Sequence, residues 1–349
     1  MKTKLILFAA VAAFNFSSCT KNLYPDELLD RQGASLLTVT LDSGLGTKVS
    51  GDQGTNDKTI QNAQVFIFNT RTKQIDNAVY KDFTSTTGSC TMPDIQCTFG
   101  EKEIWAIVNA PKDYVSGKVI KTIDDLKKTT VVLSDNKASA LVMTGSMSKS
   151  LAAATETVTV NVERLVAAVV LKSVRNEMAV PAYRDKLTIT GAYLMNVPSI
   201  QSLDGAILAS SAESATSNWS AFYGKSTATG VADLLTESIS ETSVPYEQAH
   251  NALHTFYTFS SNFERVEGKN NKTDKSSVYL VVECKVDGVA CVYPVLMPKL
   301  ERNNRYEVSL TVKHVGGNPE NPWEKINFAT FKPSINIVGW DDVSVTEVI

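Results

Sequence analysis

Three histidines and five cysteines hold most of the side chains that could do chemistry in this chain. His250 and His254 are four apart, the spacing that puts two imidazoles on one helical face. A zinc protease needs a glutamate between them as base, and the segment reads His-Asn-Ala-Leu-His. If it is a loop entering a strand, the spacing joins nothing, so no metal ligands are assigned. His314 stands alone. A serine nucleophile needs a Gly-x-Ser-x-Gly turn, and Gly145-Ser146 lacks the second glycine. Asp124-Asp125 and Asp341-Asp342 are neighbours in sequence, and neighbours on a strand face opposite sides. They read as capping or solvated groups. The sequence therefore offers no catalytic residue, no metal site and no cofactor motif.

The cysteines carry a different message. Cys284 and Cys291 flank Asp287-Gly288, and Cys90 and Cys97 flank Pro93-Asp94, each pair seven apart. Asp-Gly is a strong two-residue hairpin signal. Folding about it sets Val286 opposite Val289, Lys285 opposite Ala290 and Cys284 opposite Cys291. The same arithmetic about Pro93-Asp94 sets Cys90 opposite Cys97. Opposed strand residues stand at a bridgeable distance, so both pairs are candidate disulfides, with buried free thiols as the alternative. Neither spacing suits zinc.

The fifth cysteine sits near the start. Residues 1–4 are basic, residues 5–14 are apolar, and Phe16-Ser17-Ser18 leads into Cys19. That is a secretory n-region and h-region ending in small residues. A cysteine there reads as a bacterial lipoprotein signal over residues 1–18, with Cys19 as the acylated start of the mature chain. Such a protein works outside the cytoplasm, tethered by lipid at some stage, where disulfides are permitted. The apolar run is shorter than the about 20 residues that a membrane-spanning helix needs.

The chain has 349 residues and a formal net charge of −3. A mature length of about 330 residues fits two domains. No basic patch marks a nucleic-acid binder. Threonine, valine and serine alternate through long stretches, which favours strands. Residues 19–33 form a polar tether. Leu37, Val39 and Leu41 alternate with Thr38 and Thr40, the period of a half-buried strand over 35–42. Residues 42–59 are rich in Gly, Ser, Asp and Asn and read as an exposed, cuttable loop. Residues 103–109 (EIWAIVN) are nearly all apolar, as a buried central strand would be. Residues 122–128 form a short helix with Thr122 as N-cap. Residues 165–174 suit a strand or a short helix. The domain seam falls at Glu163-Arg164, dividing 34–163 from 164–349. Near the C-terminus, Ile335 and Ile337 alternate, residues 339–342 break the rhythm, and Val343, Val345 and Ile349 resume it. Residues 343–349 can then stand off as a short strand that must pair with something. Glu347 falls on the valine face, a mismatch unless it lies at an open end.

These pieces together resemble the FimA-type fimbrillins, the type V pilins of Bacteroidota. The residues that carry the resemblance are Ser18-Cys19, Trp105-Ala-Ile-Val-Asn-Ala-Pro111, Leu141-Val-Met-Thr-Gly145 and Val162-Glu-Arg-Leu-Val-Ala-Ala168. Further along come Phe256-Tyr-Thr-Phe259, Leu300-Glu-Arg-Asn-Asn-Arg-Tyr306, the loop 316–322 and Val338-Gly-Trp340. The resemblance implies an all-β chain of two tandem transthyretin-like β-sandwich domains with few short helices. It implies a structural subunit of a surface fimbria with a role in adhesion, not an enzyme. Assembly then runs by strand exchange. A protease removes the first strand, here Leu37, Val39 and Leu41 with their neighbours, and a C-terminal strand of another subunit, here Val343, Val345 and Ile349, takes its place. The family cut usually follows an arginine, and the matching position here is Lys48. The partners so implied are other copies or related fimbrial subunits, the processing protease, the outer membrane through the N-terminal lipid, and a host or bacterial surface ligand. Two other roles compete. One is an anchor or accessory subunit that keeps its first strand. The other is a glycan- or protein-binding surface lipoprotein, for which Trp219, Phe222 and Tyr223 would stack on sugar.

Overall fold

A chain whose apolar residues recur at period two must bury one face of each strand against another layer. The computed structural model shows how, and it describes residues 34–44, 59–207, 219–220, 231–261, 278–320 and 331–339. The architecture is all-β, with two short α-helices among the described residues, α1 (Ile123–Lys128) and α2 (Ala232–Leu235).

Two sheets come from the first half of the chain. In the smaller, β1 (Ala34–Asp42) lies between β4 (Ser89–Thr98) and β8 (Thr155–Asn161). The larger contains β2 (Thr59–Asn69), β3 (Ile75–Thr87), β5 (Gly100–Val108), β7 (Met143–Leu151) and β9 (Glu163–Arg164), in the order β3-β2-β5-β7-β9. The second half builds two more. One centres on β10 (Val166–Asn176), with β16 (Ala249–His250) and β17 (His254–Phe259) along one side. On the other side lie β20 (Asn304–Val312) and then β21 (Phe331–Gly339). The other sheet runs β15 (Thr236–Val244), β11 (Leu187–Met195), β18 (Tyr279–Val286), β19 (Val289–Leu296). Two small pairings complete the set: β6 (Thr130–Val132) with β13 (Ile200–Ser202), and β12 (Val197–Pro198) with β14 (Trp219–Ser220). Residues 165–174, equally suited to strand or helix by pattern, lie in β10 and the turn before it, because that strand is central and apolar on both faces.

The apolar run of β5 has the same cause. Ile104, Ala106 and Val108 face the core shared with β1, while Trp105 and Ile107 face a second core that continues into Val169 and Phe256. A sheet covered on both sides reads as a continuous apolar stretch rather than an alternating one. Asn109 ends the strand in the left-handed region (φ 55°), which asparagine tolerates. Its side chain accepts from Gln61 N at 2.8 Å and donates to Thr59 O at 2.7 Å and Leu141 O at 3.0 Å. In α1, Asp125 N donates to Thr122 Oγ1 at 3.0 Å and Thr122 N donates to Asp125 Oδ2 at 2.9 Å, a reciprocal cap.

Segments distant in sequence meet where the two sandwiches join. Arg302 Nη2 lies 2.9 Å from Glu163 Oε2, and its Nη1 donates to Thr144 Oγ1 at 3.1 Å. Arg164, fully buried, donates through Nη1 to Asn303 Oδ1 at 3.0 Å. A Cβ on Gly145 would meet Asn161 O at 2.0 Å, so β7 and the end of β8 approach too closely for any side chain there. The segments 141–145, 162–168 and 300–306 therefore form one junction.

One ion pair lies wholly inside the first sandwich. Lys102 Nζ stands 2.8 Å from Asp76 Oδ2 and donates to Thr98 Oγ1 at 2.6 Å, while Thr98 N donates to Asp76 Oδ2 at 2.9 Å. The network ties β3, β4 and β5 together. Removing one member of a buried pair strands the other charge, at about 3–5 kcal/mol. Asp76→Ala is expected to lose that much stability in urea denaturation, and adding Lys102→Met is expected to restore most of it.

Candidate functional site

The strand that the sequence marks as removable is the middle of its sheet. β1 runs antiparallel to β4, with Leu37 opposite Ile95, Val39 opposite Met92 and Leu41 opposite Cys90. It runs parallel to β8, with Val39 opposite Val158 and Leu41 opposite Val160. Leu37, Val39 and Leu41 are completely buried, and Leu36, on the other face, is 43% exposed. The alternation read from Leu-Thr-Val-Thr-Leu is thus the alternation of burial. Each apolar side chain contributes about 1.5–3 kcal/mol on leaving water.

Further backbone contacts hold the ends. Leu36 N donates to Ala154 O at 2.9 Å, Val162 N donates to Asp42 O at 2.8 Å, and Ser43 N donates to Gly88 O at 2.9 Å. Lifting β1 away would open a cleft with β4 and β8 as unpaired rims. Its floor would be Val65, Ile67, Ile104 and Ala106 from the facing sheet. On its C-terminal side β1 continues into residues 45–58 before β2 begins, and β2 belongs to that facing sheet. Lys48 falls in this segment and lies outside the described residues, as do Cys19 and the tail with Val343, Val345 and Ile349.

The two cysteine pairs part company. Asp287 (φ 51°) and Gly288 (φ 79°) form the turn between β18 and β19, and Cys284 stands directly opposite Cys291. Both are free, buried thiols here, and burial raises both above the ordinary thiol range. Cys90 and Cys97 are not opposed, which corrects the hairpin reading. They lie on the same strand, β4, with Pro93-Asp94 between them as a bulge. Asp94 is left-handed (φ 57°), and the ladder slips between Leu37 and Val39. The extra residue keeps Met92 and Ile95 both facing inward. Strand residues seven apart are about 23 Å distant, which no disulfide spans. Burial pushes the Cys90 thiol up to about 11 and the Cys97 thiol up to about 12, so neither is a thiolate at neutral pH.

His250 and His254 do come together, through strand pairing rather than a helix. β16 sets His250 opposite Val174 and β17 sets His254 opposite Leu171, both along β10. Their Nε2 atoms lie 3.5 Å apart. Sequence spacing alone missed this, because neither strand's pairing to β10 leaves a mark on the four-residue interval. Among the described residues no group of three or more His, Cys, Asp or Glu gathers to hold a metal ion. Phe222 and Tyr223, offered above as sugar-stacking groups, lie outside the described residues.

Comparison with known proteins follows the same line. Residues 36–190 match the family model described as the major fimbrial subunit protein (FimA). No curated protein matches the chain. Among solved structures, a putative cell adhesion protein from Parabacteroides distasonis superposes with a TM-score of 0.65 at 14% identity, covering 89% of this chain and 99% of that one. A fimbrilin (FimA) from Porphyromonas gingivalis gives 0.61 at 16% identity, covering 90% and 99%. A C-terminally truncated tip fimbrial protein from the same species gives 0.53 at 12% identity, covering 88% and 100%.

The burial of β1 sets a stability prediction. Leu37→Ala and Leu41→Ala are each expected to cost about 2–5 kcal/mol. Leu36→Ala, the same change one residue away on the exposed face, is expected to stay within about 0.5 kcal/mol. Urea denaturation of the three variants measures the contrast. Over residues 36–190, then, the chain is similar to the FimA major fimbrial subunit family, and its all-β fold is one that solved fimbrilins share.

Proposed function

We propose that this chain is a structural subunit of a surface fimbria, exported as a lipoprotein precursor and polymerised by strand exchange after proteolysis. In this reading residues 1–18 direct export, Cys19 carries the lipid, and the sandwiches of 34–163 and 164–349 are the two domains of the subunit. Its partners are other copies or related subunits, and its surface role is adhesion. The observation that carries the proposal is the place of β1. A fully apolar inner face sits between two strands that have no other ladder partner among the described residues.

A cut within residues 45–58 changes the competition for that cleft. A tethered strand meets its own cleft at an effective concentration on the order of millimolar. A strand from another subunit at about micromolar concentration is outcompeted roughly a thousandfold, or about 4 kcal/mol, at equal intrinsic affinity. Cleavage removes the tether and that advantage with it. The tail supplies a sequence of the right kind: Val343-Ser-Val-Thr346 repeats the apolar-hydroxyl alternation of Leu37-Thr-Val-Thr40. Strand addition of this sort takes affinity from backbone hydrogen bonds and specificity from alternate side chains.

A lysine-specific protease acting on purified precursor is expected to produce ladders on a gel run without boiling. Monomer that persists after a confirmed cut behind Lys48 overturns processing-driven assembly. Surface-purified chain still intact through residue 60 would assign the anchor role instead. Deleting residues 343–349 is expected to leave a folded subunit that accepts a strand but gives none. Loss of folding in that variant would make the tail an ordinary core strand.

A further inference from the structure

Cys284 and Cys291 are placed for a reaction that neither packing nor strand exchange requires. Both are buried in the core that also takes Val282 and Val286 of β18 and Tyr293 and Val295 of β19. The hydrogen bonding around them fixes their separation. Val292 N donates to Gly317 O at 3.0 Å and Gly317 N donates to Val292 O at 2.8 Å, so Val292 turns its backbone groups away from β18. Glu283 and Val292 are therefore a non-hydrogen-bonded pair, and Cys284 and Cys291, one step on, are a hydrogen-bonded pair. Such a pair holds its Cα atoms about 5.5 Å apart, and disulfide-linked residues most often stand about 5.5–6 Å apart. Closing the bond draws the Cβ atoms, about 4.5–5.5 Å apart in opposed residues, inward to about 3.5–4.5 Å, a shift of about 1 Å beside a two-residue turn. Little else is disturbed. The Cys291 thiol donates to Tyr293 Oη at 3.9 Å, and that hydroxyl donates to His314 O at 2.8 Å. Losing the thiol proton leaves the tyrosine still donating, so no buried donor is stranded.

We propose that Cys284 and Cys291 are an oxidation site, joined as a disulfide across the β18–β19 hairpin, an inference that takes its oxidising surroundings from the exported, surface role above. The co-reactant is a disulfide compound, small or protein-borne. The thiolate of one cysteine attacks a sulfur of that disulfide and releases one thiol. The thiolate of the other cysteine then attacks the first cysteine's sulfur, the bond to the co-reactant breaks, and a second thiol leaves. Two protons pass from the cysteines to the released thiols, and two electrons reduce the co-reactant. Burial holds both thiols protonated in the folded chain, so the folded protein resists oxidation. The bond therefore forms while the hairpin is still assembling, when the Asp287-Gly288 turn already sets the two cysteines opposite each other. Once made, it staples β18, which lies between β11 and β19, to the outer strand of its sheet.

The test is to refold the full-length chain from denaturant in a glutathione redox buffer, block free thiols with N-ethylmaleimide, and digest with trypsin without reduction. Trypsin cuts after Lys285, between the two cysteines, so residues 276–285 and 286–299 part unless a disulfide holds them. They are expected as one linked pair, lighter by two hydrogens than the two peptides together and separated by a reductant. Cys90 and Cys97, on one strand, are expected to carry the label. The oxidised chain is expected to melt about 4–8 °C above the same chain in reductant, a difference absent from Cys284→Ser and from Cys291→Ala. Label on both Cys284 and Cys291, or Cys284 linked to any other cysteine, overturns the proposal. Glutathione supplies the oxidant, so a bond that fails to form here leaves the export reading standing, and a chain that is not exported leaves the bond standing.

Discussion

A strand in the middle of a three-stranded sheet is bound on both edges, and the assembly proposed for this chain depends on that. β4 and β8 have β1 as their one ladder partner among the described strands. Removing an edge strand leaves a smaller sheet. Removing β1 leaves no sheet, only two separate strands with unpaired backbone groups and an apolar floor beneath them. Unpaired strand edges and a bare apolar cleft both drive association. Vacated, this cleft must be refilled. A replacement that runs in the direction of β1 reuses both ladders, antiparallel to β4 and parallel to β8.

The rest of the fold would keep such a cleft in shape during the strand exchange proposed above. The larger sheet of the first sandwich is buried on both faces. One face lines the cleft through Val65, Ile67 and Ile104. The other packs, through Phe66, Phe68 and Trp105, into the core that continues through the second half of the chain. The floor is thus anchored from behind by residues that strand exchange never touches. The junction of Glu163, Arg164, Arg302 and Asn303 and the β6–β13 pairing hold the same two halves together. Close packing of this kind transmits strain instead of absorbing it. Force along an assembled fibre would therefore pass through the subunit's body rather than loosen it.

Much of this was legible in the sequence, for local reasons. Leu37, Val39 and Leu41 show their burial by alternation. The run 103–109 shows its central place by lacking alternation. Thr122 and Asp125 announce their helix because a reciprocal cap needs those residue types at that interval. Asp287-Gly288 fixed the register of Cys284 and Cys291, since a two-residue turn leaves the pairing no freedom. Pro93-Asp94 misled for a related reason. A proline followed by a residue able to adopt positive φ serves a bulge as well as a turn, and only the pairing of β4 along the whole of β1 tells them apart. His250 and His254 were beyond reach because their meeting depends on two strands pairing with β10, a tertiary fact that a local interval does not encode.

The same distinction separates the removable strand from every other strand in the fold. β10 and β5 are as apolar as β1 and more deeply enclosed, yet each shares its sheet with strands that remain paired when one contact is lost. Among the described strands β21 is an edge, bound to β20 alone, and its loss would leave the sheet of β10 standing. Among the described strands only β1 combines a fully buried apolar face, a terminal place in the described fold and sole responsibility for a sheet. Burial makes the cleft worth filling. The place in the chain lets one cut release the strand. Sole responsibility ensures that the vacancy does not close on itself, since β4 and β8, held one strand's width apart by the sheet beneath, cannot pair without displacing the core they cover.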